Sequence, residues 1–299
     1  MARHVIVGAG PVGTATAEHL RAAGHDVRVI TRSGQGPAFA ERVAADAADA
    51  ERLTELTQGA AALYNCANPL YHRWPVDWPP IANALLTAAE RTGAVLVAMG
   101  NLYGYGPVDA PMTEATPLAP STVKGGVRAR MWEQMLAAHE AGRVRVTEAR
   151  ASDYLGPDGK SLFTDMIVPP VRAGKSATVP ANVDVPHSLS YTVDAGRTLA
   201  VLGTDERAWG RAWHVPTPPA QTLREVARTY ARLVGAPEPK LRRMPSLVLR
   251  AGGLFMPMAR EFAEMRYQFE RPFVLDSTLT EQTFGLAPTS TEDVLRAMV

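Results

Sequence analysis

A glycine-rich turn near the N-terminus constrains this chain more than any other feature of its sequence. The apolar run at residues 5–7 leads directly into Gly8-Ala9-Gly10-Pro11-Val12-Gly13, which is followed by a helical pattern and a second apolar run. Glycine at these spacings lets the turn close, lets the backbone approach a pyrophosphate and lets helix and strand pack closely, while the helix N-terminus attracts phosphate charge. The turn therefore predicts a dinucleotide site; a tight glycine turn without a ligand is the alternative. The predicted cofactor contacts are Gly8, Gly10, Pro11, Val12 and Gly13.

The first half of the chain alternates short apolar runs with helical patterns. The helical patterns are each followed by Gly24, Gly93 or Gly142, and glycine is the residue best suited to a left-handed helix cap. This alternation predicts an α/β fold with a doubly wound parallel sheet of the Rossmann type. The predicted strands are residues 5–7, 27–30, 43–45, 61–66, 94–99 and 144–149, and the predicted helices are 13–23, 80–92 and 124–141.

The second half is punctuated by prolines and is less regular. Helical patterns lie near residues 223–234 and 247–270, and residues 193–203 and 212–215 are expected to return to the sheet. We predict a dinucleotide-binding domain at residues 1–155, rejoined by 188–216. A smaller substrate cap is expected from residues 156–187 and 217–299, and substrate is expected to bind between the two parts.

The composition limits the kinds of molecule that the chain is expected to bind. Lys and Arg total 31 against 30 Asp and Glu, so the net charge of +1 favours neither nucleic acid nor an anionic membrane surface. A single cysteine, Cys66, allows no intramolecular disulfide and no thiolate cluster for a metal. We find no signal peptide and no run of 18 apolar residues. We therefore expect a cytoplasmic protein that binds small molecules and no metal.

The end of the second predicted strand bears on the choice of dinucleotide. NAD enzymes and flavoproteins usually carry an acidic residue there, whereas this chain has Thr31, Arg32 and Ser33. Arginine pairs well with a 2′-phosphate and Ser33 adds a hydrogen bond, which favours NADP over NAD, although NAD remains open. A solvated surface arginine is the alternative. Asp46 follows the third strand and is expected near the adenine or as a helix cap.

The segment after the fourth predicted strand reads Cys66-Ala67-Asn68-Pro69. Ala67 and Asn68 are predicted to pass beneath the cofactor ribose, while Cys66 is interpreted as a small core residue. Prolines at positions 69, 75, 79 and 80 predict an irregular loop. Tyr71 and Trp74 on this loop are expected to line the substrate mouth, or simply to pack.

The chain resembles the extended and atypical short-chain dehydrogenase/reductases, in particular the NAD-dependent epimerase/dehydratase-like branch. The resemblance covers most of the chain. It rests on the order of the glycine turn, Asn101-Leu102-Tyr103-Gly104, Arg150-Ala151-Ser152-Asp153-Tyr154-Leu155-Gly156-Pro157 and Tyr191-Thr192-Val193-Asp194.

Typical members of that family use a serine or threonine after the fifth strand and a Tyr-x-x-x-Lys motif on the next helix. Aligning Tyr103-Gly104 and Glu133 puts Met99 at the serine position, Gly125 at the tyrosine and Ala129 at the lysine. The usual triad is therefore absent.

Nearby polar residues suggest a substitute site. We predict Tyr103 as the proton donor, with its pKa lowered by Lys124, and Asn101 as a third catalytic residue. Arg128 follows Lys124 by one helical turn, so the two cations are expected to grip a phosphate or carboxylate, with Tyr105 also contacting substrate. The alternative for the tyrosines is aromatic packing, and the alternative for Lys124 and Arg128 is a solvated helix face.

Further candidates lie outside this cluster. Asp153 and Tyr154 follow the sixth strand, where α/β sheets place ligand contacts, and are predicted to bind substrate or to form a structural turn. His187 and His214 are isolated histidines without metal-ligand spacing, and His214 is interpreted as a core residue. A homodimer is possible through side chains that are otherwise core: Met131, Met135 and Leu136.

Three functions compete on these observations. The first is an NAD(P)-dependent oxidoreductase or epimerase-like enzyme acting on a small carbonyl or alcohol through a non-standard site. The second is a non-catalytic NADP-binding sensor, and the third is a redox-neutral isomerase, cyclase or dehydratase. An enzyme needs a pocket that joins the nicotinamide to solvent, whereas a sensor does not.

Overall fold

The computed structural model describes residues 1–244 and 263–299, and its centre is a seven-stranded parallel sheet. The strands are β1 Arg3–Val7, β2 Asp26–Thr31, β3 Glu41–Ala44, β4 Ala60–Asn65, β5 Val95–Asn101, β6 Val146–Ala151 and β11 Arg211–His214. The six predicted strands all join the sheet, with ends shifted by two residues or fewer, and the seventh strand, β11, lies beside β6. The strand order is β11-β6-β5-β4-β1-β2-β3, so the fold is the doubly wound sheet that the sequence predicts.

Alternating side chains of the sheet pack into two separate hydrophobic cores. In β1, Val5 and Val7 face one core and Ile6 faces the other, as the twofold period of a strand requires. The helices that pack on the sheet are α1 Pro11–Ala22, α2 Ala50–Thr57, α3 Trp74–Thr92, α4 Val123–Glu140 and α6 Thr192–Leu202. Helices α2, α3 and α4 cover the first face, and α1 and α6 cover the second.

The segments expected to return to the sheet behave differently from one another. Residues 211–214 form β11, whereas residues 193–203 fall in α6, which covers the face of the sheet instead of joining it. Gly196 allows this close packing, because a Cβ there would lie 2.5 Å from the Cβ of Ala15 on α1. The sequence missed this because a short apolar run fits a strand and a buried helix equally well.

The predicted irregular loop at the proline-rich segment is wrong from Trp74 onward, because α3 already begins there. Pro75 lies in the first turn, where no backbone N–H is needed. Pro79 and Pro80 each remove an intrahelical hydrogen bond. Burial of the Trp74 and Trp78 rings stabilises the helix across these prolines, since their exposures are 3% and 0%.

A third core lies outside the sheet and joins residues 155–183 to residues 223–241 and to the C-terminal segment. The other strands and α-helices of the described residues are β7 Asp153–Leu155, α5 Val168–Arg172, β8 Ala177–Val179, β9 Pro186–His187, β10 Leu189–Tyr191, β12 Gln221–Thr222, α7 Leu223–Leu233, β13 Leu241–Arg243, α8 Tyr267–Glu270, α9 Thr278–Phe284 and α10 Thr291–Arg296. Three two-stranded sheets join β7 to β10, β9 to β12 and β8 to β13. The pattern predicted as a helix at residues 247–270 falls largely on residues 245–262, outside the described residues, and its end forms α8.

Among the helices of residues 1–244 and 263–299, none has the length and apolar character needed to cross a bilayer.

Candidate active site

The three glycines of the N-terminal turn differ in what a side chain there would meet. Gly8 has φ +105°, and a Cβ there would lie 2.5 Å from the carbonyl oxygen of Cys66. A Cβ on Gly13 would lie 2.0 Å from the carbonyl oxygen of Gly8. Gly10 instead faces open space, since a Cβ there meets no described atom within 4 Å. No described side chain caps α1, so its first-turn N–H groups remain available to an anion.

A cleft of about 720 Å³ runs from this turn along the ends of β2 and β3. Arg32 and Ser33 are exposed at its edge, and Arg32 has no hydrogen-bond or ion-pair partner among the described residues. Asp77 also lines the cleft, but Arg73 binds it through two bonds of 2.8 and 2.7 Å and holds its pKa below the usual range. Arg32 adds to the lowering of the pKa of Asp77, but it forms no ion pair or hydrogen bond with any described residue, so its guanidinium stays available to a ligand.

Asp46 lines the same cleft and does not cap a helix. Its Oδ1 accepts a hydrogen bond of 2.9 Å from the backbone N–H of Ala48. The cap of α2 is Asp49, whose side chain accepts from the N–H of Arg52 at 2.9 Å. Of the two interpretations of Asp46, the helix cap is therefore wrong.

A second cavity, of about 320 Å³, adjoins the cleft. The two share Gly10 and residues 66–68, so a ligand lying along the cleft would reach the cavity at the glycine turn. Many predicted site residues line this cavity, together with Met99 at the position of the missing serine. Those predicted residues are Ala67, Asn68, Tyr71, Trp74, Asn101, Tyr103, Arg128, Asp153 and Tyr154.

Tyr103 lies in the cavity, but the predicted effect of Lys124 on it is wrong. Lys124 is buried beside the cavity, where its Nζ lies 2.5 Å from Oε2 of Glu264 and 4.6 Å from the centre of the Tyr71 ring. Burial, followed by the charge of Asp153, raises the pKa of Tyr103. Tyr103 is therefore a neutral phenol that resists losing its proton.

Asn101 positions this tyrosine. Its side-chain oxygen accepts a hydrogen bond of 3.1 Å from the backbone N–H of Tyr103. This bond closes the turn that follows β5 and leaves the amide nitrogen of Asn101 for the cavity.

Arg128 occupies an aromatic clamp at the cavity wall. Its guanidinium carbon lies 4.5 Å from the Trp74 ring and 4.4 Å from the Trp78 ring, and Nη1 donates to the carbonyl oxygen of Met99 at 3.2 Å. Its Nε is buried without a partner, and no carboxylate in the described part of the chain forms an ion pair with it. Desolvation lowers the pKa of Arg128. The alternative of a solvated helix face is wrong for both residues, because Lys124 is buried and Arg128 lies against the two tryptophan rings.

Tyr105 lies away from the site. It is 1% exposed, its hydroxyl bonds Arg150 and His214, and it lines neither cavity formed by the described residues. The structure therefore does not bring it to substrate. His214 is fully buried, which confirms it as a core histidine.

His187 is a functional candidate to which the sequence analysis gave no role. Its Nε2 lies 3.0 Å from Oδ2 of Asp153, and its ring stacks between Phe269 and Phe273 at 5.2 Å from each. Asp153 and His187 are 34 residues apart, and the pairing of β7 with β10 brings their segments together. No spacing in the sequence signals this contact.

The methionines considered for a dimer interface are core residues. Met131 packs with Trp74 and Trp78, and Met135 belongs to the core beneath α4. Leu136 is partly buried against that same core.

Comparison with known proteins gives a family match and a fold match. The model of the NAD dependent epimerase/dehydratase family matches residues 4–194. No curated protein sequence matches the chain significantly.

Solved structures align over the whole chain at low identity. The dTDP-glucose 4,6-dehydratase of Bacillus anthracis, in complex with NAD, has a TM-score of 0.79 at 15% identity and covers 100% of this chain and 95% of its own. The UDP-N-acetylglucosamine 4-epimerase of Bacillus cereus has a TM-score of 0.80 at 13% identity, with coverages of 100% and 98%. The UDP-glucose 4-epimerase of Bifidobacterium longum, in complex with NAD+ and UDP, has a TM-score of 0.77 at 15% identity, with coverages of 99% and 96%. At such identities these structures establish the fold.

Proposed function

The chain belongs to the NAD dependent epimerase/dehydratase family, and on that premise we propose that it is an NADP-dependent oxidoreductase for a small carbonyl or alcohol substrate. The observation that carries the proposal is the junction of the cleft and the cavity at Gly10 and residues 66–68. A dinucleotide whose pyrophosphate lies at the glycine turn has room for its nicotinamide end in the cavity. A sensor would not need such a cavity.

The residues of the cleft fit this cofactor. The uncapped N-terminus of α1 and the open face of Gly10 suit the pyrophosphate, and Ala67 and Asn68 suit the adjoining ribose. When bound, the nicotinamide would supply or accept the hydride. The residues of the chain would hold the nicotinamide against the cavity, bind the substrate, and donate or accept the proton.

The preference for NADP rests on charge. Arg32 and Ser33 occupy the place where an acidic residue would hold the ribose hydroxyls of NAD. The nearby carboxylate of Asp77 is bound by Arg73, which leaves Arg32 to pair with a 2′-phosphate in bidentate fashion.

The cavity suits a substrate that carries an anionic group. Arg128 offers a guanidinium that lies against two tryptophan rings and forms no ion pair with a described carboxylate, and a guanidinium matches the geometry of a substrate carboxylate. Tyr103, kept neutral by burial, would donate a hydrogen bond to the substrate oxygen. A 2-oxo acid, with its carbonyl beside a carboxylate, meets both requirements.

The test is a calorimetric titration of the wild type and of Arg32→Asp with NADPH and with NADH. We expect tight NADPH binding to the wild type and a loss of at least about tenfold in Arg32→Asp, which is about 1.4 kcal/mol. NADH affinity should change far less. Arg42→Asp is the control, because it makes the same charge change on β3 outside both cavities. Failure of both nucleotides to bind the wild type would refute the proposal.

A redox-neutral epimerase or dehydratase is the second candidate, and the family match favours it. The two reactions differ in their net use of cofactor. An oxidoreductase changes the absorbance of reduced nicotinamide as substrate is consumed. A redox-neutral enzyme leaves that absorbance unchanged while substrate disappears.

A further inference from the structure

The contact between Asp153 and His187 places a buried imidazole directly behind a carboxylate of the cavity wall. The side chain of His187 is 2% exposed and that of Asp153 is 17% exposed. Asp153 lines the cavity, and its second oxygen, Oδ1, has no hydrogen-bond partner among the described residues. Oδ2 of the carboxylate thus contacts His187, and Oδ1 remains available to bind a ligand.

Two contacts of His187 indicate where its protons lie. Its Nδ1 is 3.2 Å from the backbone carbonyl oxygen of Gln268, and a carbonyl only accepts, so Nδ1 carries a proton. In the neutral imidazole Nε2 is then an acceptor, and it would face a carboxylate oxygen that is also an acceptor. The 3.0 Å contact between Nε2 and Oδ2 therefore requires a further proton between them.

We propose that Asp153 and His187 form an imidazolium–carboxylate couple that takes the place of the family's missing tyrosine–lysine pair in proton transfer. Asp153 is the catalytic residue and His187 is the positioning residue. The inference rests on the proposed function, because it assigns the proton half of that hydride transfer.

The proton step balances as follows. In alcohol oxidation the substrate O–H bond breaks and its proton passes to Oδ1 of Asp153, while the O–H electron pair becomes the second C–O bond. Hydride leaves the same carbon for the cofactor. The proton on Nε2 stays on His187, and Asp153 then releases its new proton to water. Carbonyl reduction runs the same steps backwards.

The other candidates in the cavity are less suited to this step. Burial raises the pKa of both Tyr103 and Tyr71, which makes loss of either phenolic proton unfavourable. Lys124 is held by Glu264 beside the cavity. Asp153 lines the cavity, and His187 holds one oxygen of its carboxylate in place.

Several other charged or titratable groups surround the couple. Arg128, Asp158 and Lys160 line the same cavity. Asp153 also acts on the nearby phenols of Tyr154 and Tyr267, and burial is the main reason that the pKa of each is raised.

The first experiment reads the protonation of His187 directly by ¹⁵N NMR of ring-labelled histidine. From the two contacts of the ring, we expect both ring nitrogens of His187 to carry protons in the wild type. In Asp153→Asn, the new amide N–H donates to Nε2, so His187 should become neutral with its proton on Nδ1 and the protein should still fold. A neutral His187 in the wild type overturns the proposal, whether or not NADPH binds.

The second experiment follows NADPH consumption with phenylglyoxylate, a 2-oxo acid, as the probe. Asp153→Asn should lose at least about 100-fold in kcat, the usual scale of acid–base catalysis, while its NADPH affinity stays within about twofold. His187→Gln should change the pH dependence of kcat, which a merely structural role would leave unaltered. Retention of wild-type kcat by Asp153→Asn overturns the catalytic role.

The control is Asp184→Asn, which removes a surface aspartate–arginine pair away from both cavities and should retain wild-type kcat. A wild type that does not bind NADPH refutes the proposed function instead, and the NMR result then decides on the couple alone.

Discussion

The hydroxyl oxygen of Tyr105 lies 2.7 Å from Nε2 of His214, deep beneath the carboxyl end of the sheet. Nδ1 of His214 lies 2.7 Å from the carbonyl oxygen of Asp276 and so carries the proton. Burial lowers the pKa of His214, which keeps the ring neutral and leaves Nε2 as an acceptor. Tyr105 therefore donates to His214 and accepts from Arg150 at 2.8 Å.

We predict that Tyr105→Phe destabilises the fold without affecting the cofactor site. The variant leaves Arg150 and His214 each short of a buried partner, which costs about 1–3 kcal/mol. Chemical denaturation should show this loss, while NADPH affinity stays unchanged. Tyr191→Phe is the control, because its hydroxyl has no hydrogen bond among the described residues. Equal stability of the two variants would contradict the assigned network.

A second prediction concerns pH and His4, which is 1% exposed and lies 3.0 Å through Nδ1 from the hydroxyl of Tyr64. Burial, with a smaller contribution from His25, lowers the pKa of His4 to about 4 from the ordinary 6.5. The unfolded chain therefore binds this proton more readily than the folded one. Stability is full above pH 6.5 and falls as the pH drops toward 4, by up to about 3 kcal/mol.

Urea unfolding at pH of about 7 and about 5 would measure this effect. His4→Gln should flatten the pH dependence while keeping a bond to Tyr64, whereas the exposed His72→Gln should leave it unchanged. Because the pKa of His214 is also lowered, His4→Gln should remove only part of the slope. An unaltered slope in His4→Gln would show that another group is responsible.

The glycine turn allows packing and binding to be separated. In Gly8→Ala the new Cβ lies 2.5 Å from the Cys66 carbonyl oxygen at a φ of +105°, so we predict a marked loss of thermal stability. In Gly10→Ala the Cβ meets no described atom within 4 Å, and the φ of −72° suits alanine. Gly10→Ala should therefore keep its melting temperature and yet lose at least about tenfold in NADPH affinity. Normal NADPH binding by Gly10→Ala would place the pyrophosphate elsewhere.

The sequence predicted those parts of the fold that depend on local patterns. The strand, glycine turn and helix at residues 3–22 are adjacent in sequence, and their periodicity and glycine spacing specify them directly. The start of α3 was missed because Pro79 and Pro80 disrupt the expected pattern, while the burial of Trp74 and Trp78 that stabilises it is a tertiary effect.

The site was predicted only in part, for a related reason. The carboxyl ends of the parallel strands meet at one edge of the sheet, which is why Asn68, Tyr103 and Asp153 were found together. The partners that set their chemistry come from distant segments. Lys124 and Glu264 are 140 residues apart, and no local pattern links them.

A final prediction concerns the aromatic clamp of Arg128. The guanidinium of Arg128 lies against the rings of both Trp74 and Trp78, which are inclined at 76° to each other, whereas the ammonium of a lysine cannot stack on a ring or bind a carboxylate in bidentate fashion. We predict that Arg128→Lys lowers the affinity for phenylglyoxylate by at least about tenfold but changes the affinity for its neutral methyl ester far less. Quenching of tryptophan fluorescence would measure both affinities. Arg145→Lys removes an arginine that stacks on Trp209 at 4.9 Å, outside both cavities, and should leave both affinities unchanged. If Arg128→Lys weakened the acid and the ester equally, the arginine would act by shaping the cavity, and the carboxylate would have to bind elsewhere.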